Sequence, residues 1–187
     1  MYWHHVAGLL CGAFVVTWVF SGLMSMNPWK VLDSTAPKPD HAAYAQGHLD
    51  GAALTTPLAP LLANQNLREL VWTWSAGKAV LLARTGHGPA RVLDANRGAP
   101  LDFTADELKA AAARLIPGAS IRGIDVLTTY DLYYYDRAPH TMSGHLEKPL
   151  PIWRVIYDDP WSTWAHIDPR TGQIIGTLDD AGRTRRW

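Results

Sequence analysis

Chemical capacity in this chain is concentrated in eight histidines, seventeen Asp and Glu, and a single cysteine. His4 and His5 stand side by side ahead of the uncharged apolar run Val6–Met26, VAGLLCGAFVVTWVFSGLMSM. On a helix His5 shares a face with Gly8 and Gly12, and an imidazole there projects where an axial ligand of a buried haem would lie. The same imidazole is equally placed to be an interfacial polar group partnered by water and headgroups. A haem held by two histidines needs a second one at membrane depth, and His41, His48, His87, His140, His145 and His166 all follow the run.

The other reactive groups form no comparable pattern. His140 and His145 would make a metal pair, but they sit in a Pro- and Gly-containing loop with no identifiable further ligands, so no metal site is assigned. Asp131, Asp136, Asp158 and Asp159 would make an acid cluster, but Asp at turns and strand ends ordinarily caps backbone N–H groups or faces water. Cys11 lies inside the apolar run, leaving the remainder without a thiol for a disulfide, a metal or nucleophilic attack. A Gly-rich phosphate loop, HExxH, CxxC and G-x-S-x-G are all absent, so no catalytic residue is assigned. Seventeen basic residues balance the seventeen acidic ones without a long single-sign block, which argues against a nucleic-acid partner. The aromatic group Tyr130, Tyr133, Tyr134, Tyr135, Trp153, Tyr157, Trp161 and Trp164 is the most distinctive feature outside the apolar run. It reads as sheet-face packing, with an exposed docking patch as the alternative.

The elements that would position these residues begin with the apolar run, whose length of about 21 residues matches the hydrocarbon core of a bilayer. Trp3 and Trp29 bracket it, about 39 Å apart on helical geometry, as interfacial indoles would be. Residues 1–29 are therefore read as a transmembrane helix with interfacial ends. MYWHH has no Lys or Arg, so an uncleaved span is expected rather than a secretory signal. Gly8 with Gly12, and Thr17, Ser21 and Ser25, form small-residue stripes of the kind that pack against other transmembrane helices.

Residues 30–54, with Pro28 just ahead and Pro37, Pro39, Gly47 and Gly51 within, show no sustained period and read as a connecting segment. A first helix-plus-sheet unit is expected over residues 55–102, with a helix from Pro57 to Gln65 and strands at Leu67–Trp74, Lys78–Arg84 and Ala90–Asp94. A second is expected over residues 103–180, its alanine-rich helix opened by the capping box Thr104-Ala-Asp-Glu107 and terminated by Pro117-Gly118. Its strands are expected at Ile121–Leu127, Thr129–Tyr135, Ile152–Tyr157, Thr163–Asp168 and Gln173–Leu178, with an inserted loop at 137–151 and a tail at 181–187. Asp94-Ala-Asn-Arg-Gly98 and Asp168-Pro-Arg-Thr-Gly172 recur as D-x-x-x-G turns after strands. The fold class is thus α+β: one N-terminal transmembrane helix followed by a tandem of small units, each a helix plus antiparallel sheet.

These residues resemble a known family. The segment His166-Ile-Asp-Pro-Arg-Thr-Gly-Gln-Ile174 is similar to the closing turn of the PepSY domain. The opening WHHVAGLLCGAFVVTWVFSGLMSMNP resembles the PepSY-associated transmembrane helix, through His5, Gly8 and Ser21-Gly22. The resemblance implies a bacterial inner-membrane protein with its PepSY region in the periplasm. The wider group includes iron-regulated membrane proteins and ferric-siderophore reductases, in which histidines of several membrane helices hold b-type haem. This chain shows no further span before Gly182-Arg-Thr-Arg-Arg-Trp187, so a truncated or split member is expected.

Three functions follow from the resemblance. The first is a membrane-anchored, non-catalytic PepSY module that binds or regulates an envelope protein, its other partners being the lipid bilayer and further transmembrane helices. The second is a fragment of a haem-containing ferric-siderophore or ferric reductase in iron uptake, with His5 as an axial ligand of haem b completed by additional helices. The third is inhibition of a secreted peptidase, which an uncleaved anchor disfavours.

Overall fold

In a computed structural model, the structure describes residues 2–26, 33–48, 59, 67–85, 89–135, 138, 140–142 and 148–185. The chain divides into two compact units, Met1–Thr35 and Ala36–Trp187. Mixed helix and sheet make up the fold: an N-terminal apolar helix and two small antiparallel sheets with short helices.

The first unit is built on helix α1, Tyr2–Ser25, which has no acidic residue in its first turn and no basic residue in its last. At 24 residues it extends about 36 Å, enough to cross a bilayer. None of its residues is buried, and no atom lies within 4 Å of where a Cβ would stand at Gly8, Gly12 or Gly22. Thr17 Oγ1 donates back to Phe14 O at 2.8 Å, so that hydroxyl is satisfied within the helix, as a bilayer requires. Trp29, the expected second interfacial anchor, lies outside the described residues.

The second unit opens with helix α2, His41–Ala45, inside the stretch expected only to connect. Asp40 caps it by accepting from Ala43 N at 2.8 Å, an Asx cap that the sequence carried without any apolar period around it. The helix is held by what it buries: Tyr44 is 3% exposed and belongs to the main core. The helix expected over Pro57–Gln65 lies outside the described residues apart from Ala59, which is helical.

Strands β1 (Leu67–Ser75), β2 (Lys78–Thr85) and β3 (Arg91–Asp94) form the first sheet in that order. Ser75 pairs with Lys78, leaving Ala76 (φ 46) and Gly77 (φ 80) as a two-residue turn. Positive φ at both positions is the type I′ requirement, matching the twist of the hairpin. An alanine there costs about 1 kcal/mol of backbone strain, and it is retained where its methyl is buried in the main core.

Helix α3 (Ala105–Ala112) carries the expected capping box, with Glu107 N donating to Thr104 Oγ1 and Thr104 N to Glu107 Oε2. The helix ends at Ala112, short of the expected stop at Pro117; Leu108, Ala111 and Ala112 of its predicted apolar face, and Leu115 in the turn beyond it, are at most 1% exposed. Beyond it, β4 (Ser120–Leu127), β5 (Ile152–Asp158), β6 (Trp164–Ile167) and β7 (Ile174–Leu178) form the second sheet, ordered β4-β5-β6-β7. Val155, Tyr157, Ala165 and Ile167 meet α3, Tyr44 and Ala76 in one core. The first sheet buries a separate cluster, Leu81, Ala83, Leu93 and Ala95, and reaches the main core through Ala76 of its β1–β2 turn.

Two expectations change. Thr129–Tyr135 is not a strand: Asp131 Oδ1 accepts from Tyr133 N and Tyr134 N at 2.9 and 2.7 Å, and Asp131 N donates to Tyr134 O. The Asx turn satisfies locally the backbone groups a strand would offer to a neighbour. The stretch 181–187 is not simply a tail, since helix α4 (Asp180–Thr184) occupies its start and Arg183 is 8% exposed.

Candidate functional site

The D-x-x-x-G turns are the first local structures to follow from residue type. In each, the aspartate carboxylate accepts a backbone N–H two residues on, Asn96 N to Asp94 and Arg170 N to Asp168. Each closes with the glycine N–H on the aspartate carbonyl at 2.8 Å, and Gly98 and Gly172 both have φ 67. Left-handed φ is where glycine is favoured. The two turns differ in what surrounds them. Asp168 is 3% exposed and Gly172 is buried, because Gly172 O accepts from both Tyr44 Oη at 2.6 Å and Ser75 Oγ at 2.5 Å. The second turn is thereby pinned to α2 and to the end of β1.

Further bonds hold the same junction. Gly77 N donates to Ala45 O at 2.8 Å, Asp40 N to Leu115 O at 2.7 Å, and Arg114 Nε to Ala43 O at 3.1 Å. Lys78 Nζ lies 2.8 Å from Glu107 Oε1, tying β2 to the first turn of α3. Hydrogen bonding from Lys78, with the Thr104 N–H behind it, holds the Glu107 carboxyl down at about 2. Burial is the main cause that pushes the Tyr44 phenol up to about 12, against the opposing pull of Ser75 and Arg114. Tyr157, donating to Ala112 O at 2.7 Å, is likewise raised, chiefly by burial.

Beside this junction lies a cleft of ≈ 510 Å³, within the range of small-ligand and short-peptide sites. One wall is the end of β1 (Thr73, Trp74, Ser75) and the other the turn and start of β7 (Thr171 to Ile175). His41 and Tyr44 of α2, Pro89 and Ala90, and Lys148 and Pro149 complete it. Arg84, Lys148 and Arg170 line it as cations, and among the described residues Asp168 is its one carboxylate. Asp168 is committed internally, accepting from Thr171 Oγ1 at 3.1 Å and pairing with Arg170 Nε at 3.3 Å. Arg84 pairs with Glu69 at 3.4 Å, outside the cleft lining. Trp74 is set by Gly47, where a Cβ would overlap the indole.

A separate polar network covers the opposite face of the second sheet. Arg154 and His166 are direct cross-strand partners, and Arg154 Nε donates to His166 Nε2 at 3.1 Å. Arg154 Nη2 reaches Asp131 Oδ2 at 2.7 Å. The Tyr134 ring stacks on His166 with centroids 4.8 Å apart, while the Arg154 and Arg183 guanidinium groups lie 4.6 and 4.2 Å from the Trp164 centroid. Partial burial works to raise the Asp131 carboxyl, but the Arg154 bond and the Tyr134 and Tyr133 N–H groups outweigh it and leave it below its ordinary value. The predicted aromatic group thus divides between the sheet's two faces: Tyr157 and Trp153 toward the main core, Tyr134 onto His166, and Tyr133 edge-on to Trp164 at 5.3 Å.

The sequence-predicted residues separate accordingly. His5 lies in the first turn of α1, exposed, its ring 6.1 Å from that of His4. One long apolar helix occurs among the described residues, so they offer no imidazole from an opposing helix, and on their own they do not build a two-histidine haem site. Asp131 enters the Arg154 network, Asp159 caps its own turn by accepting from Thr163 N at 2.6 Å, and Asp158 is exposed. His140 is exposed; His145, His87 and Asp136 lie outside the described residues. No group of three or more His, Cys, Asp or Glu able to hold a metal occurs among the described residues.

Sequence reasoning missed the cleft and the Arg154–Asp131 pair. Arg154 carried a signal, being a charge between Ile152 and Ile156 in a strand, a pattern that demands a buried partner. Arg84, Lys148 and Arg170 carried none, since they come together from three separate stretches. Compared with known protein-family models, curated proteins and solved structures, the chain matches none of them. The PepSY resemblance therefore rests on the residues that carry it.

Proposed function

We propose that this chain is a membrane-anchored binding module: α1 holds it in the bacterial inner membrane, and the second unit, a PepSY-like tandem in the periplasm, receives an envelope partner in the cleft between β1 and β7. The observation that carries the reading is the cleft itself, walled by elements of both sheets. The Ser75 and Tyr44 hydroxyls and the Asp168 carboxylate are engaged in the fold's own bonds, the first two on Gly172 O and Asp168 with Thr171 and Arg170. Arg84, Lys148 and Arg170 and the Trp74 indole also line it, groups suited to holding a polar or apolar partner. The twin D-x-x-x-G turns support the tandem, and the length and apolarity of α1 support the anchor.

The test is site-specific photo-crosslinking in intact cells. A photoreactive residue replacing Thr73, in the cleft wall, should trap a discrete protein adduct, while one replacing the exposed Asp125 on β4 should not. The chain should stay in the membrane pellet after alkaline extraction and be digested by protease added to spheroplasts. Absence of an adduct at Thr73 refutes the binding role. Alkaline release refutes the anchor, and protection from protease refutes the periplasmic placement.

A further inference from the structure

The bond between Arg154 and His166 fixes the protonation of a buried imidazole. Arg154 Nε can only donate, so His166 Nε2, 3.1 Å away, must accept, and the ring is neutral with its proton on Nδ1. A second proton has one place to go, Nε2 itself, whatever partner Nδ1 has. Uptake there turns the acceptor into a donor and sets an imidazolium against a guanidinium. Both side chains are buried, where like charges repel more strongly than in water. Around the ring, among the described residues, the β5 neighbour is Arg154 and the β7 neighbour Gly176. The turn above brings the Tyr134 ring onto His166 and Asp131 onto Arg154 Nη2. On β6 itself, Trp164 carries the Arg154 and Arg183 guanidinium groups, and beyond it Asp168 is held by Thr171 and Arg170. Lys148 Nζ lies 5.4 Å from the Tyr134 centroid.

The turn that covers His166 also reaches the cleft. Tyr134, stacked on the imidazole, donates from its Oη to Pro149 O at 2.8 Å, and Tyr130 Oη donates to Lys148 O at 2.8 Å. Lys148 and Pro149 are part of the cleft lining. One short segment is therefore held on one side by Arg154 through Asp131, and on the other holds a piece of the cleft wall. A buried imidazolium facing a guanidinium needs water. Strand β6 is paired on both sides, by β5 and β7, so the element that gives way is the turn rather than the strand. We infer that His166 is a proton-operated latch on the cleft. Neutral, it holds Arg154, the Asp131 turn and the Lys148–Pro149 wall in place; protonated, it repels Arg154, the turn lifts to admit water, and the wall moves with it. The inference rests on the binding-module reading for the use of the cleft and names how that same site is regulated.

The experiment uses the full chain in detergent micelles, titrated from about pH 8 to about pH 5 across the ordinary imidazole range. Asp131, whose carboxyl lies below its ordinary value, keeps its charge over that window. NMR of the imidazole nitrogens should show His166 Nε2 unprotonated at the alkaline end, its signal assigned by its loss in His166→Gln. Hydrogen exchange, corrected for its intrinsic pH dependence, should lose about tenfold protection over residues 129–135 as Nε2 takes its proton, and none over β2. In the Cys11→Ser chain, a nitroxide attached at Thr73→Cys, in the β1 wall, should gain mobility with the same midpoint. His166→Gln offers Arg154 an amide oxygen that does not titrate, so it should keep the alkaline exchange rates and line shape at the acid end. A proton already on Nε2 at the alkaline end, or protection of 129–135 unchanged on acidification, overturns the inference. So does a loss of protection that persists with the same midpoint in His166→Gln. Faster exchange with an unchanged nitroxide overturns the link to the cleft. If far-UV circular dichroism shows His166→Gln unfolded, the parent chain decides, and separate midpoints for Nε2 protonation and exchange overturn the latch. No partner enters these measurements, so their failure leaves a Thr73 adduct in cells standing, and a missing adduct leaves the latch standing.

Discussion

Asp131→Asn isolates the electrostatics of the network on the outer face of the second sheet. The substitution keeps an oxygen able to accept from Tyr133 N and Tyr134 N, so the turn is preserved, while the charge facing Arg154 Nη2 at 2.7 Å is removed. The Arg154 side chain is 8% exposed and that of Asp131 36%. A buried charge deprived of its partner typically costs about 3 to 5 kcal/mol, and an exposed one below about 1. The half-open geometry lies between these limits, giving a loss of about 2 kcal/mol. For a unit of this size that lowers the midpoint of thermal unfolding by about 6 °C, measurable by near-UV circular dichroism of the full chain in micelles. Because the remaining cost is an orphaned guanidinium, Asp131→Asn combined with Arg154→Met should recover part of the loss rather than add to it. The pH dependence has a definite sign. Asp131 has a folded pKa below its unfolded one, so its stabilisation is complete above the ordinary carboxylate range and is lost as pH falls through the folded value. The gap between parent and variant should therefore close on acidification. A midpoint unchanged at neutral pH, or a double variant as destabilised as the sum of the singles, refutes the reasoning.

Two further outcomes follow from the junction between the sheets. Gly172→Ala meets both a left-handed backbone (φ +67) and Ser75 Oγ 2.7 Å from the new Cβ, whereas Gly118→Ala, at φ +76, has nothing within 4 Å. Gly118→Ala should cost about 1 kcal/mol and Gly172→Ala clearly more in the same denaturant titration; equal costs would show that the contact with β1 is not tight. Glu107, held at about 2 by Lys78 and the Thr104 N–H, stabilises the unit at pH above the ordinary Glu value and loses that effect as pH falls toward 2. Glu107→Gln should therefore lower the thermal midpoint at pH 7 by more than at pH about 3, with a pH-independent difference as the refuting result.

Much of the architecture was legible along the chain because its signals are local. The uncharged length of α1, the capping box at Thr104 and Glu107, the apolar face of α3, and the D-x-x-x-G turns each depend on residues a few positions apart. Asp131 shows the limit of that reasoning. A run of β-prone tyrosines favours a strand, but one carboxylate accepting two nearby N–H groups folds the segment into a turn and delivers Tyr134 onto His166 instead.

By itself, the sequence determined an apolar N-terminal helix of membrane-crossing length, an α+β remainder, and the turns that close each sheet, since propensity, capping and hydrophobic period act over short chain distances. Only tertiary structure decided that α2 belongs to the core, that Tyr44 and Ser75 converge on Gly172 O, and that Arg84, Lys148 and Arg170 share one cleft. Those outcomes join residues roughly 20 to 130 positions apart, and such pairings are set by how α2, the β1–β2 turn and the second sheet pack together rather than by any periodicity along the chain.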